Sequence, residues 1–120
     1  KNKTKANILD LLKQFSDLLT NNPLQKNCTL STIISRHAAV LGLSALVMAF
    51  PYDAPESWIP SVVARLARIG LDPYPIGNTI KKFMADFKKT HSDTWNRDQK
   101  MFTREELDDL LGFSSHNYFA

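Results

Sequence analysis

The segment from Ser31 to Phe50 limits the choice of folds more than any other part of this chain. Its apolar residues cover nearly the full circumference of a helix, and Pro51 ends it. A helix that is apolar all round is typical of a central position with neighbours on several sides. Small residues along it allow those neighbours to approach closely. These small residues are Ala38, Ala39, Gly42, Ser44 and Ala45.

Apolar residues recurring at helical spacing predict four further helices. They run from about Lys5 to Thr20, Ser57 to Ile69, Ile76 to His91 and Thr103 to Gly112, with a short helical connection over residues 92–102. Proline-rich turns at 51–55 and 71–75 are suited to reversing the chain direction between helices. The pattern predicts an all-α fold of antiparallel helical hairpins, an α-solenoid of the HEAT kind with a capping C-terminal end.

The last predicted helix has marked boundaries. Thr103 and Glu106 have the spacing of a capping box at its start, and Gly112 is expected to end it. We therefore divide the chain into a HEAT-like helical domain, residues 1–112, and a short extended tail, residues 113–120. Because the chain begins with Lys1 rather than Met, we expect it to be a piece of a longer solenoid.

The tail carries two adjacent aromatic residues close to the chain end, Tyr118 and Phe119. Exposed aromatic surface is unfavourable in water, so both rings are expected to be buried. Burial within this domain and burial in a partner both remain open. The carboxylate of Ala120 adds a charge that a basic pocket can bind.

Catalytic and metal-binding patterns are not found. The three histidines, His37, His91 and His116, lie on separate predicted elements, and the four glycines are scattered. The single cysteine, Cys28, excludes an internal disulfide and is typical of a reducing compartment. We predict no catalytic residue, no cofactor and no metal, and hence a structural or binding module rather than an enzyme.

The chain has a net charge of +3, and four lysines cluster on one predicted helix: Lys81, Lys82, Lys88 and Lys89. They alternate with a core stripe, which favours a solvated helix face and no direct contact with nucleic acid. A basic module for nucleic acid or inositol phosphate remains an alternative, as does a generic solenoid scaffold. The longest apolar run, Ala38 to Phe50, is broken by Gly42 and Ser44, which predicts no membrane span.

Several runs occur in a specific order and spacing: 36–45, 50–55, 80–83, 87–95 and 102–107, followed by Tyr118-Phe119-Ala120 at the end. Over about residues 31–120 they resemble the C-terminal domain of the giant HEAT-repeat proteasome activators, the type of proteasome activator complex subunit four. Members of that family end in a hydrophobic residue, a tyrosine and one further residue, usually as Tyr-Tyr-Ala.

The resemblance implies an ATP-independent activator that caps the 20S proteasome core particle. Its tail is expected to insert between neighbouring α subunits and promote gate opening. Tyr118 is then the anchor, Phe119 the penultimate aromatic residue, and the Ala120 carboxylate the partner of a pocket lysine. Phe119 replaces the family's penultimate tyrosine, so the ring is kept and its hydroxyl is lost. We expect docking to survive this change and gate opening to weaken.

The resemblance also implies where such a protein works. It implies a nuclear and cytoplasmic location, with roles in histone degradation and DNA repair. Acetylated histones are expected partners of regions outside this chain.

Overall fold

The computed structural model describes the backbone of residues 2–50 and 56–119 and the side chains of residues 5–50 and 56–115. Within these residues the chain forms α-helices and no strand, which confirms the predicted all-α fold. The helices are α1 (Asn2–Thr20), α2 (Leu30–Met48), α3 (Ile59–Arg68), α4 (Ile76–His91), α5 (Trp95–Asp98) and α6 (Arg104–Phe119), with a 3₁₀ turn (Gln99–Met101) before α6. The HEAT-type hairpin arrangement and the 51–55 turn, which lies outside the described residues, stay predictions.

Contacts along the chain define two compact units, Lys1–Leu46 and Val47–Ala120. The first contains α1 and most of α2. Within it the ring of Phe15 lies directly against the backbone of Gly42, where an added Cβ would come within 2.6 Å of three ring atoms. Space, rather than backbone conformation, therefore explains the glycine at this position.

Helix α2 is not covered on every side. Val40 and Leu43 are fully buried, whereas Leu30 and Ile34 are 74% and 60% exposed. The exposed residues follow one helix face: Leu30, Ile34, Ala38, Leu41 and Ala45. One face of α2 is therefore exposed in this chain, and the expected neighbours on several sides stay a prediction. Because every face of α2 is apolar, its composition did not reveal which one is left exposed.

Helix α2 is also long and apolar enough to cross a membrane by length and composition, with a mean hydropathy of 1.5 over its 19 residues. The prediction that no apolar segment has that length is therefore wrong. Core helices of helical domains share this length and composition. In α2 the charged Arg36 is only 7% exposed, and its Nη1 donates a hydrogen bond to the carbonyl oxygen of Asn22 at 3.1 Å. That buried contact fits a helix packed within a protein.

Helices α3 and α4 supply most of the core of the second unit. Pro60 lies in the first turn of α3, where its missing N–H is tolerated. Apolar residues at helical spacing form a core stripe on each of the two helices, whereas Ile69, directly after α3, is half-buried. The buried members are Ile59, Val62, Val63 and Leu66 on α3, and Ile76, Ile80, Phe83, Met84 and Phe87 on α4. Burying each large side chain contributes roughly 1.5–3 kcal/mol.

A buried carboxylate joins the end of α4 to α5. Asp98 accepts hydrogen bonds from Thr94 Oγ1 at 2.6 Å, from His91 Nδ1 at 2.7 Å and from Arg97 Nε at 2.8 Å. Burial on its own would raise the pKa of Asp98, but the hydrogen bonds from Thr94, Arg97 and His91 outweigh it and hold this pKa below its usual value. Local patterns in the sequence predict only a short helical connection over residues 92–102 and do not reveal this cluster.

Candidate functional site

The predicted docking residues lie at the end of α6. The backbone of Tyr118 and Phe119 is helical, since α6 extends from Arg104 to Phe119. The side chains of Tyr118 and Phe119, and the whole of Ala120, lie outside the described residues. What the structure provides is the element that carries them and the way this element is held.

The start of α6 is a capping box. The backbone N–H of Glu106 donates to Thr103 Oγ1 at 3.1 Å, and the backbone N–H of Thr103 donates to Glu106 Oε1 at 2.8 Å. Two N–H groups that have no partner within the helix are thereby satisfied. This confirms the predicted start of the last helix.

The predicted end at Gly112 is wrong, because α6 continues through this residue to Phe119. Gly112 does not adopt a positive φ, so it does not act as a left-handed cap. A glycine inside a helix costs only about 1 kcal/mol relative to alanine. Contacts of α6 with α3 on both sides of Gly112 offset that cost. The tail is therefore not extended from residue 113 onwards, although its docking role stays a prediction.

One face of α6 lies against the C-terminal end of α3. Asp109 Oδ2 accepts a hydrogen bond from Arg68 Nη1 at 2.8 Å. Leu107 and Leu110 are half-buried, whereas Leu111 is 66% exposed and does not face inward. The face of α6 that carries Leu107, Asp109 and Leu110 thus packs against α3.

The second contact between these elements is made by Phe113 and Gly70. A Cβ added to Gly70 would overlap Cδ1 and Cε1 of the Phe113 ring. Gly70 also lacks a positive φ, so it does not act as a left-handed cap of α3. Its missing side chain instead leaves room for the ring. A shallow pocket of about 220 Å³ adjoins this contact, between Arg68 and Leu71 on one side and Asp108 on the other.

The four lysines of α4 form a surface of their own. Lys81, Lys82, Lys88 and Lys89 are exposed, as expected for a solvated face. Lys82 Nζ lies 3.0 Å from Asp86 Oδ2, so part of the positive charge is balanced on the same helix. A site for nucleic acid or inositol phosphate on these lysines stays an alternative.

Among the described residues, no group of three or more His, Cys, Asp or Glu side chains is placed to hold a metal ion. The close pair of His91 and Asp98 is enclosed in the core. Its carboxylate already accepts three hydrogen bonds. The expected absence of catalytic, cofactor and metal sites stays a prediction.

Comparison with known proteins gives one consistent family. A family described as "Proteasome activator complex subunit 4-like, C-terminal" matches residues 33–120. Proteasome activator subunit 4 of Arabidopsis thaliana is 44% identical over 97 residues, which cover 80% of this chain and 5% of that protein. Proteasome activator complex subunit 4 of Homo sapiens is 41% identical over 75 residues, covering 62% of this chain and 4% of that protein.

A fungal relative matches a longer part of the chain. Proteasome activator BLM10 of Saccharomyces cerevisiae is 34% identical over 117 residues, which cover 94% of this chain and 6% of that protein. The chain therefore spans only about a twentieth of the length of these relatives. The family match covers most of α2 and everything after it, including the last three residues. By this match the chain belongs to the family of C-terminal regions of proteasome activator complex subunit 4-like proteins.

Proposed function

We propose that this chain is the C-terminal docking part of an ATP-independent proteasome activator that caps the 20S core particle. Tyr118, Phe119 and Ala120 insert between neighbouring α subunits, anchor the cap and promote gate opening. The observation that supports this is the extent of the family match, which runs to residue 120. The chain acts as a binding module and contributes no catalytic residue, cofactor or metal to proteolysis.

The chemistry of the last three residues suits a small pocket. Two aromatic side chains supply large apolar area with few rotatable bonds, which is typical of interface residues that carry most of the binding energy. The Ala120 carboxylate supplies a charge that a lysine and backbone N–H groups can bind. Because the carboxylate belongs to the chain end, adding even one residue removes it from that position.

The helical state of the end of α6 has a consequence for docking. Insertion as an extended strand requires the last turn of the helix to unwind. Opening the last turn breaks the hydrogen bonds that its N–H groups donate to carbonyl groups four residues earlier, about one for each residue that unwinds. Binding to the pocket then has to offset this cost together with the cost of ordering the extended chain.

The proposal also includes the cellular location and the substrates of the full-length protein. We place the full-length protein in the nucleus and the cytoplasm, where it supports histone degradation and DNA repair. Acetylated histones are bound by regions outside this chain. A generic solenoid scaffold is the competing proposal, and it requires Tyr118 and Phe119 to pack on the protein's own helices.

Deleting residues 118–120 from the full-length protein tests the docking proposal. We expect loss of co-sedimentation with purified 20S core particles and loss of stimulated peptide hydrolysis. A matched variant replaces the last three residues by Ser-Gly-Ser, which keeps the chain length and removes the anchors. A second variant adds one glycine after Ala120, which keeps both rings and displaces the carboxylate.

The controls separate docking from folding. Ser114→Ala changes an exposed residue of the same helix and should leave binding unchanged. All variants should show the same helical circular dichroism and melting temperature as the parent protein. Unchanged co-sedimentation of the deletion variant would contradict the docking proposal and favour the scaffold.

A further inference from the structure

We infer that Phe113, held against Gly70, is a positioning residue that fixes where the C-terminal residues leave the helical body for docking. We call Gly70 and Phe113 the seat. This inference rests on the proposed function, because it concerns how the docking residues are presented.

The seat depends on the absence of a side chain at residue 70. A Cβ there would overlap two carbons of the Phe113 ring, and it would also lie 3.2 Å from the Ala67 carbonyl oxygen. The backbone of Gly70 has no positive φ, so an L residue could adopt its conformation. What the position excludes is therefore the volume of a side chain, and the group that fills the space is the Phe113 ring.

The seat stands on a rigid base and acts together with a second contact. Leu66 and Ala67, at the end of α3, are 0% and 6% exposed. Arg68 Nη1 binds Asp109 Oδ2 at 2.8 Å. Asp109 and Phe113 are four residues apart and share one face of α6. Two contacts, one helical turn apart, thus hold this face on the end of α3.

Phe113 is the last contact of this kind along the described part of α6. Its side chain is half-buried, whereas the following Ser114 and Ser115 are exposed. Ala120 lies seven residues beyond Phe113. Seven residues reach about 10 Å as helix and at most about 25 Å when extended. With so short a connection, the effective concentration of the docking residues at a pocket depends strongly on where the connection starts.

The seat differs from the other glycine of this region. Nothing lies within 4 Å of a Cβ added to Gly112, although Gly112 directly precedes Phe113. Alanine at residue 70 displaces the ring, and alanine at residue 112 does not. Comparing Gly70→Ala with Gly112→Ala therefore separates the effect of displacing the Phe113 ring from the effect of replacing a glycine by alanine.

The test uses the full-length protein with Gly70→Ala, Phe113→Ala, both together, and Gly112→Ala as the matched control. Affinity for the 20S core particle is measured by titration, and peptide hydrolysis is measured at saturating activator. We expect Gly70→Ala and Phe113→Ala each to weaken affinity about tenfold. Hydrolysis at saturation should stay unchanged because the docking residues are intact, and Gly112→Ala should bind like the parent protein.

The double variant shows whether both residues act through one contact. It should bind no more weakly than either single variant, because the seat is lost only once. Phe113→Leu keeps an apolar side chain at the contact and should recover most of the affinity. A lowered melting temperature would reveal that Gly70→Ala disturbs the fold. In that case the comparison of Phe113→Ala with Phe113→Leu still tests the contact.

Deleting residues 118–120 in parallel separates this inference from the proposed function. If the deletion weakens binding while Gly70→Ala and Phe113→Ala bind like the parent protein, the seat is refuted and docking stands. If the deletion has no effect, the proposed function itself fails. Additive losses in the double variant, or a fall in hydrolysis at saturation, would also overturn the seat.

Discussion

His91 Nδ1 lies 2.7 Å from Asp98 Oδ2, and the side chains of the two residues are 3% and 0% exposed. The His91 ring also stacks on Phe87, with 4.3 Å between ring centroids. This pair therefore ties the last turn of α4 to the short helix α5. The connection leading to α6 is held by a buried polar contact rather than by apolar packing alone.

Asp98→Asn should destabilise this junction by about 2–4 kcal/mol. The amide cannot accept three hydrogen bonds as the carboxylate does, so buried donors lose their charged partner. Amide hydrogen exchange of α4 and α5 in the full-length protein measures the free energy of local opening. The exposed neighbour Asn96→Ala is the control and should leave exchange unchanged. Equal protection in Asp98→Asn and the parent protein would show that the cluster is not stabilising.

The same carboxylate predicts a loss of stability in acid. Its pKa is held below the usual value by Thr94, Arg97 and His91. A group whose pKa is lower in the folded state stabilises the fold fully above its unfolded pKa, about 3.9. The stabilisation is lost as the pH falls below that value towards the folded pKa. We therefore expect this carboxylate to cause no loss of protection in α5 between pH 7 and 5, and a marked loss below about pH 4.

Asp98→Asn provides the control for the pH dependence. The amide does not titrate, so the part of the acid-induced loss that comes from residue 98 should disappear. The measurement is exchange of the α5 amides, corrected for the intrinsic pH dependence of exchange. An identical pH dependence in both proteins would assign the loss to other carboxylates.

Thr103→Ala should weaken the start of α6 by about 1 kcal/mol. The variant removes the acceptor Oγ1 that now satisfies the Glu106 N–H at 3.1 Å. Thr103→Ser keeps the hydroxyl and is the matched control. Hydrogen exchange of residues 105–107 should be faster in Thr103→Ala only, and similar exchange in both variants would contradict a capping role.

The parts of the fold that follow from local patterns could be predicted from the sequence. Helical periodicity marked α4 with its observed limits, and the spacing of Thr103 and Glu106 marked the start of α6. The helix end predicted at Gly112 was wrong, although glycine often ends helices. Here Phe113 lies against Gly70, and that contact spans 43 residues of sequence, so no local pattern contains it.

The buried cluster shows the same limit for polar residues. His91 and Asp98 are seven residues apart across a turn, and neither carries a recognisable motif. Only the tertiary fold brings them together in the core. The proposed docking residues could be predicted without any knowledge of packing. Their residue types and the resemblance of the chain end to a known family were sufficient.

Two glycines of the second unit predict opposite effects of the same substitution. A Cβ added to Gly77 would overlap the carbonyl oxygen of Asp72, which is backbone and cannot rotate away. Gly77→Ala should therefore destabilise the start of α4 by about 1–3 kcal/mol. Gly112→Ala meets nothing within 4 Å and should stabilise α6 by about 0.5–1 kcal/mol. Local hydrogen exchange distinguishes the two, and the same sign for both would refute the steric account.

Phe119→Tyr tests the residue at which the resemblance leads us to expect a tyrosine. If the pocket offers a partner to the missing hydroxyl, restoring it should add about 0.5–1.5 kcal/mol, or roughly a two- to twelvefold gain in affinity for the 20S core particle. Stimulated peptide hydrolysis at subsaturating activator should rise with it. Tyr118→Phe is the matched opposite change, since it removes a hydroxyl from the neighbouring ring and should weaken binding by a similar factor. If Phe119→Tyr leaves both affinity and hydrolysis unchanged, the pocket contacts only the ring at this position. The missing hydroxyl then has no effect on docking.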